Sequence, residues 1–297
     1  MRKIILFIIS CYSISILFGI IIWELKGNSN AISPSPYQLV LTVGLMFTPA
    51  LVAYWIENKK FKDFTNKYQL NFKNINWKST IKYLLITNII IPILILGYGY
   101  FLGNFLKIEQ FGELATSIKQ VDPKLFRMPS MIFNVKYPLV VVSIIISVIS
   151  LIAGCSVNAL VALGEEIGWR GFLEKNIKLN FITKNILIGS IWGLWHAPII
   201  LCGHNFPNYP YWGILMMVFL CITLSFYYSF ILRKTKSLFV MGALHGSFNA
   251  FTPLLAASPF LLHNNELFGP IGILMILTVL TISTISYIID KKRIYEK

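Results

Sequence analysis

Eight runs of about 20 apolar residues divide the chain, at 4–23, 37–56, 81–102, 138–163, 186–202, 211–232, 238–257 and 268–289. A helix of that length crosses a hydrocarbon core of about 30 Å. No run alternates apolar with polar residues in the manner of a strand. Hydrocarbon offers no partner for a bare N–H or C=O, so only helices and closed barrels span it. Length and pattern together select helices. The expected fold is therefore all-α: a polytopic membrane protein of about eight transmembrane helices, with residues 1–297 forming a single integral membrane domain.

Composition agrees. The chain is 56% hydrophobic and only 13% charged, whereas soluble domains average about 45–50% apolar and about 25% charged residues. The first run follows Arg2 and Lys3, as a signal peptide would. It is too long for one and lacks a small-x-small cleavage site, so it reads as a retained span. Cys11, Cys155, Cys202 and Cys221 lie in or beside apolar runs without CxxC spacing, and read as small packing residues.

The net charge of +14 raises the question of a polyanionic partner. Placement of the cations answers it. With a cytoplasmic N-terminus, 20 of the 26 Lys and Arg residues fall on the cytoplasmic side. They lie in the N-terminus, the 57–82 and 164–185 connections, the 233–237 turn and the C-terminus. The outer segments 203–210 and 258–267 hold none. This is the asymmetry of a multi-pass cell-membrane protein with both termini inside. The lipid bilayer explains it, and nucleic acid is not an expected partner. One long outer connection, 103–137, carries mixed charge with Pro123 and Pro129.

Ionisable groups within spans are costly and mark candidate sites. Glu165, Glu166 and Arg170 end the fourth run. On a helix, Glu166 and Arg170 are i and i+4 and can pair. Glu165 is rotated by about 100° and lacks that partner, which leaves it free as a base. His196 lies in the fifth run, about 18 Å along a helix from Lys184, with Trp192 one turn below it and Gly193 permitting close helix approach. His245 and Asn249 share a face of the seventh run among Gly242, Ala243, Gly246, Ser247 and Ala250. Alone, each cluster reads equally well as an ion pair or as interhelical hydrogen bonding. Together they form a set: a carboxylate and a histidine to activate water, a histidine and an amide to hold an oxyanion. His204 and His263 read as surface histidines. A straight helix from Pro138 to Glu165 would run about 40 Å, so the clusters meet only if the fourth span tilts or starts later than Pro138, and if a water-filled cavity opens to the cytoplasm.

The three clusters resemble the CAAX-protease and bacteriocin-processing family of intramembrane proteases, marked by EExxxR, FxxxH and HxxxN motifs on successive membrane helices. Here they are Glu165-Glu166…Arg170, Trp192…His196 and His245…Asn249, within motif helices at 138–256. Trp192 stands where the family usually has Phe. The resemblance implies peptide-bond hydrolysis at a membrane-embedded site open to the cytoplasm, acting on a peptide or membrane-protein substrate. It implies that Glu165 and His196 activate water, that His245 and Asn249 support the oxyanion, and that Glu166, Arg170 and Trp192 are supporting. Members are often classed as metallopeptidases, and Glu165, His196 and His245 could hold zinc. HExxH is absent, and chemistry without a cofactor is preferred. GxSG is absent too, which removes a rhomboid-type serine protease. The alternatives that stay open are an ion-coupled transporter and a non-catalytic immunity or binding protein.

The charge asymmetry makes a topological prediction. Reporter fusions after Lys297 and after the sixth run should both report cytoplasm, and a fusion within 258–267 should report the outside. An external C-terminal signal would remove the even-span arrangement.

Overall fold

The computed structural model describes residues 2–26, 36–68, 70, 72, 75–105, 139–256 and 271–295, and every regular element among them is helical. The first helix, α1 (Arg2–Lys26), shows why. Phe7, Cys11 and Ser15, four residues apart, are buried, while Ile5, Ile9, Ile16, Leu17 and Ile20 are exposed. One face packs and the other presents bare hydrocarbon, as a lipid-facing helix does. The chain continues through α2 (Pro36–Met46), α3 (Thr48–Glu57), α4 (Phe61–Lys67) and α5 (Trp77–Leu85), then a π-helical stretch, Ile86–Ile90, into α6 (Ile91–Phe105). After the undescribed 106–138 come α7 (Leu139–Gly154), α8 (Val157–Glu166), a π turn Ile167–Leu173, α9 (Phe181–Trp195), α10 (Ala197–Leu201), α11 (Pro210–Thr235), α12 (Leu238–Ala256) and α13 (Ile273–Tyr295).

Helices thus occupy all eight apolar runs. By length and apolarity, four stretches among the described residues qualify as membrane spans: Arg2–Leu25, Val40–Glu57, Trp77–Tyr98 and Pro210–Thr235. A fifth qualifies only as a bent pair, Ile144–Gly154 with Val157–Asn176. The outer connections 103–137 and 258–267 fall almost entirely outside the described residues.

Two of the runs differ from straight spans. The 138–163 run is broken at Cys155–Ser156, where α7 and α8 meet at 65°. Ser156 leaves helical geometry with φ −119° and ψ −122°. Gly154 brings this corner against α12, for a Cβ there would lie 2.7 Å from the Ser247 backbone. The bend resolves the excess length of a straight helix from Pro138 to Glu165. The 186–202 run starts earlier, at Phe181, capped by the Asn180 side chain accepting from the Thr183 N–H at 2.9 Å. It breaks at His196, because Pro198 lacks the N–H that would bond to Leu194.

Glycines hold the site helices together. Gly189 and Gly193 of α9 meet the backbone of α11 at Ile222 and Val218. Gly242 and Gly246 of α12 meet α8 at Ala159 and Asn158, and Asn158 Nδ2 donates to the Gly246 carbonyl at 3.3 Å. The expected close approach at Gly193 is present. A Cβ on Gly246 would lie 2.7 Å from the Asn158 carbonyl carbon, while one on Gly97 meets nothing within 4 Å. Gly246→Ala should therefore destabilise the detergent-solubilised protein by about 1–3 kcal/mol through overpacking. Gly97→Ala should be neutral or stabilising by up to about 1 kcal/mol, both read by thermal melting.

Candidate active site

Glu165 and Glu166 end α8 where the chain widens into the π turn Ile167–Leu173. Such turns recur at functional sites because they displace side chains from the regular helical stack. Both carboxylates are buried, at 2% and 0% exposure. Each finds a partner four residues on, Trp169 and Arg170, and another on a different helix.

Glu166 is the better neutralised. Its Oε2 lies 3.4 Å from Arg170 Nε, with both side chains fully enclosed. The two attract without the alignment of a hydrogen bond, and the guanidinium nitrogens have no hydrogen-bond partner among the described residues. Arg170 stacks instead on aromatic faces, 4.7 Å from the Trp192 ring centroid and 5.4 Å from that of Tyr228. The other oxygen, Oε1, accepts from His245 Nδ1 at 2.8 Å. The i,i+4 pair read from the sequence is thus present, with His245 as a second partner.

Glu165 is not free in the sense expected from its helical position. Its Oε2 accepts the indole N–H of Trp192 at 2.6 Å and that of Trp169 at 3.3 Å. Its Oε1 has no hydrogen bond among the described residues. Trp169 stands at i+4 from Glu165, the same spacing that pairs Glu166 with Arg170, so this partner is legible in the sequence, whereas Trp192 is not.

His196 occupies the break between α9 and α10, half-buried, with Nδ1 2.9 Å from the Trp192 carbonyl oxygen. A carbonyl only accepts, so Nδ1 carries the hydrogen and Nε2 presents a lone pair. His245 Nδ1–H likewise faces a carboxylate oxygen, Glu166 Oε1, and its Nε2 has no hydrogen bond among the described residues. The Trp192 ring is the hub of the cluster. Its centroid is 5.3 Å from that of His245 and 6.2 Å from that of His196. Glu165 and His245 lie within electrostatic range of one another, as do His196 and His245.

Asn249, one turn beyond His245, is exposed and makes no hydrogen bond with the other three among the described residues. Tyr228 joins the site unanticipated, its ring 6.0 Å from His245. His204 is half-buried rather than a plain surface residue, and lies within electrostatic range of His196. His263 lies outside the described residues. Among the described residues no three His, Cys, Asp or Glu side chains gather closely enough to hold a metal.

Residues 136–251 match a family model described as Rce1-like, type II CAAX prenyl endopeptidase Rce1-like. All three clusters lie in the matched segment. No curated protein matches the chain.

Removing Glu166 strands both Arg170 and His245, and removing one partner of a buried pair typically costs about 3–5 kcal/mol. Glu166→Ala should melt well below Glu165→Ala in detergent. Equal melting of Glu166→Ala and wild type would dismiss this pairing.

Proposed function

We propose, from the match of residues 136–251 to the Rce1-like type II CAAX prenyl endopeptidase family model, that this membrane protein is an intramembrane endopeptidase hydrolysing peptide bonds with a water activated by Glu165 and His196. The observation that carries the proposal is the set of atoms around Trp192 left without hydrogen bonds among the described residues. These are Glu165 Oε1, His196 Nε2 and His245 Nε2, each on a side chain whose other polar atom is already held. A side chain fixed at one end and open at the other is what positioned acid–base chemistry needs.

In this mechanism Glu165 Oε1 takes a proton from water while His196 Nε2 accepts the second water hydrogen in a hydrogen bond. The oxygen attacks the scissile carbonyl carbon. The oxyanion receives hydrogen bonds from protonated His245 at Nε2 and from the Asn249 amide, which its exposure leaves open to a substrate. Collapse breaks the C–N bond, and Glu165 returns its proton to the leaving amine. Glu166 and Arg170 hold His245 and Trp192 in place. The steps of this mechanism use the protein's own side chains and water.

The charge asymmetry supports an eight-span arrangement with both termini in the cytoplasm and the site open to that side. The name of the matched family makes a prenylated CAAX peptide the first substrate to test.

With such a peptide and protein in lipid nanodiscs, Glu165→Ala and His196→Ala should each lower hydrolysis by at least about 100-fold without lowering the melting temperature. Asn249→Ala should lower it by about 10–1000-fold, as expected for loss of one oxyanion donor. Full activity in Glu165→Ala would remove the peptidase mechanism.

A further inference from the structure

Two indole N–H groups converge on a single oxygen of Glu165, and we infer that Trp192 is the positioning residue that fixes both proposed water-activating groups, Glu165 through its side chain and His196 through its backbone. The inference deepens the peptidase reading above, and only its kinetic arm rests on that reading.

A carboxylate has two equivalent oxygens that exchange by rotation about one bond. The 2.6 Å contact from Trp192 Nε1 to Oε2 is short and charge-assisted, and Trp169 Nε1 adds a weaker contact to the same oxygen at 3.3 Å. Rotation would break both. Oε2 is thereby the anchored atom and Oε1 the one available to water. The Trp192 carbonyl also holds His196 Nδ1 at 2.9 Å, which leaves Nε2 as the ring nitrogen with a lone pair. One residue therefore sets the relative position of a carboxylate oxygen and an imidazole nitrogen that belong to different helices.

Trp192 is itself immobilised. It is buried, with the Arg170 guanidinium over its ring at 4.7 Å and His245 meeting it at 66°. Gly193 beside it presses α9 against α11, where a Cβ would lie 2.5 Å from Val218 Cα. Arg170 therefore acts at a distance: it steadies the indole that steadies Glu165.

The two grips can be separated. Trp192→Phe keeps an aromatic ring and the carbonyl that holds His196, and removes only the indole N–H. In nanodisc-embedded protein it should lower kcat by about 10–100-fold with KM within about twofold, since orientation and not substrate binding is lost. Trp169→Phe should have a smaller effect, because its contact is longer. Wild-type kcat in Trp192→Phe would overturn the inference.

A spectroscopic arm needs neither activity nor that variant. The chain has seven tryptophans. In protein labelled with ¹⁵N-tryptophan, Glu165→Gln replaces a charged acceptor by a neutral carbonyl. It should move the indole proton signals of Trp192 and Trp169 upfield and leave the other five in place. Seven unmoved signals would also overturn the inference. If the wild type hydrolyses no peptide, the peptidase reading fails and these signals still decide the clamp.

Discussion

Burying two adjacent carboxylates in an apolar interior is the constraint to which the rest of the site answers. An uncompensated buried charge is strongly unfavourable, and two side by side also repel. The protein treats them differently. Glu166 receives formal countercharge from Arg170 and a hydrogen bond from His245. Glu165 receives only neutral indole donors. Those hydrogen bonds stabilise its anion without placing a formal countercharge among its hydrogen-bond partners. The asymmetry follows from position. With both partners at i+4, the residue at 170 is a cation and the residue at 169 is not.

That arrangement needs helices from three parts of the sequence to approach more closely than bulky side chains allow. Gly154, Gly242 and Gly246 bring α12 onto the α7–α8 corner, and Gly189 and Gly193 bring α9 onto α11. In an apolar solvent, packing at small residues replaces the hydrophobic drive that water supplies. Thr87 and Tyr227 add a buried hydrogen bond across the same bundle at 2.9 Å, and Ser15 of α1 donates to the Trp195 carbonyl at 2.6 Å. Each such bond matters more where no water competes for the group.

The helical runs, the Glu166–Arg170 pair and the small residues around His245 were all legible in the sequence, because each depends on spacing within one helix. The Trp192 contact with Glu165 was not, since it crosses 27 positions between helices whose relative rotation no local pattern fixes. The Glu166–His245 bond crosses 79 and was missed for the same reason. The bend at Cys155–Ser156 left only an indirect trace: a run too long for one straight crossing. Runs of apolar residues also overstate continuous helices. His196 and Pro198 interrupt one, and Phe47 separates α2 from α3 in another. Hydropathy averages over such breaks.

These interruptions cluster where the chemistry is proposed. The bend at Ser156, the π turn that begins at Ile167 and the break at His196 belong to the helices that carry the polar groups. A regular helix satisfies its own backbone and presents side chains at fixed angles. Where it is interrupted, backbone groups need other partners, and irregular backbone within a membrane protein is tolerated only when protein or a polar cavity supplies them. The Trp192 carbonyl illustrates the exchange. It lies in the last turn of α9, where a continuing helix would bond it to the N–H of residue 196. Instead the His196 N–H bonds to Gly193 and the His196 ring takes the Trp192 carbonyl. The break at His196 thus yields a backbone acceptor that fixes the imidazole tautomer, so the feature that shortens the helix also orients the ring.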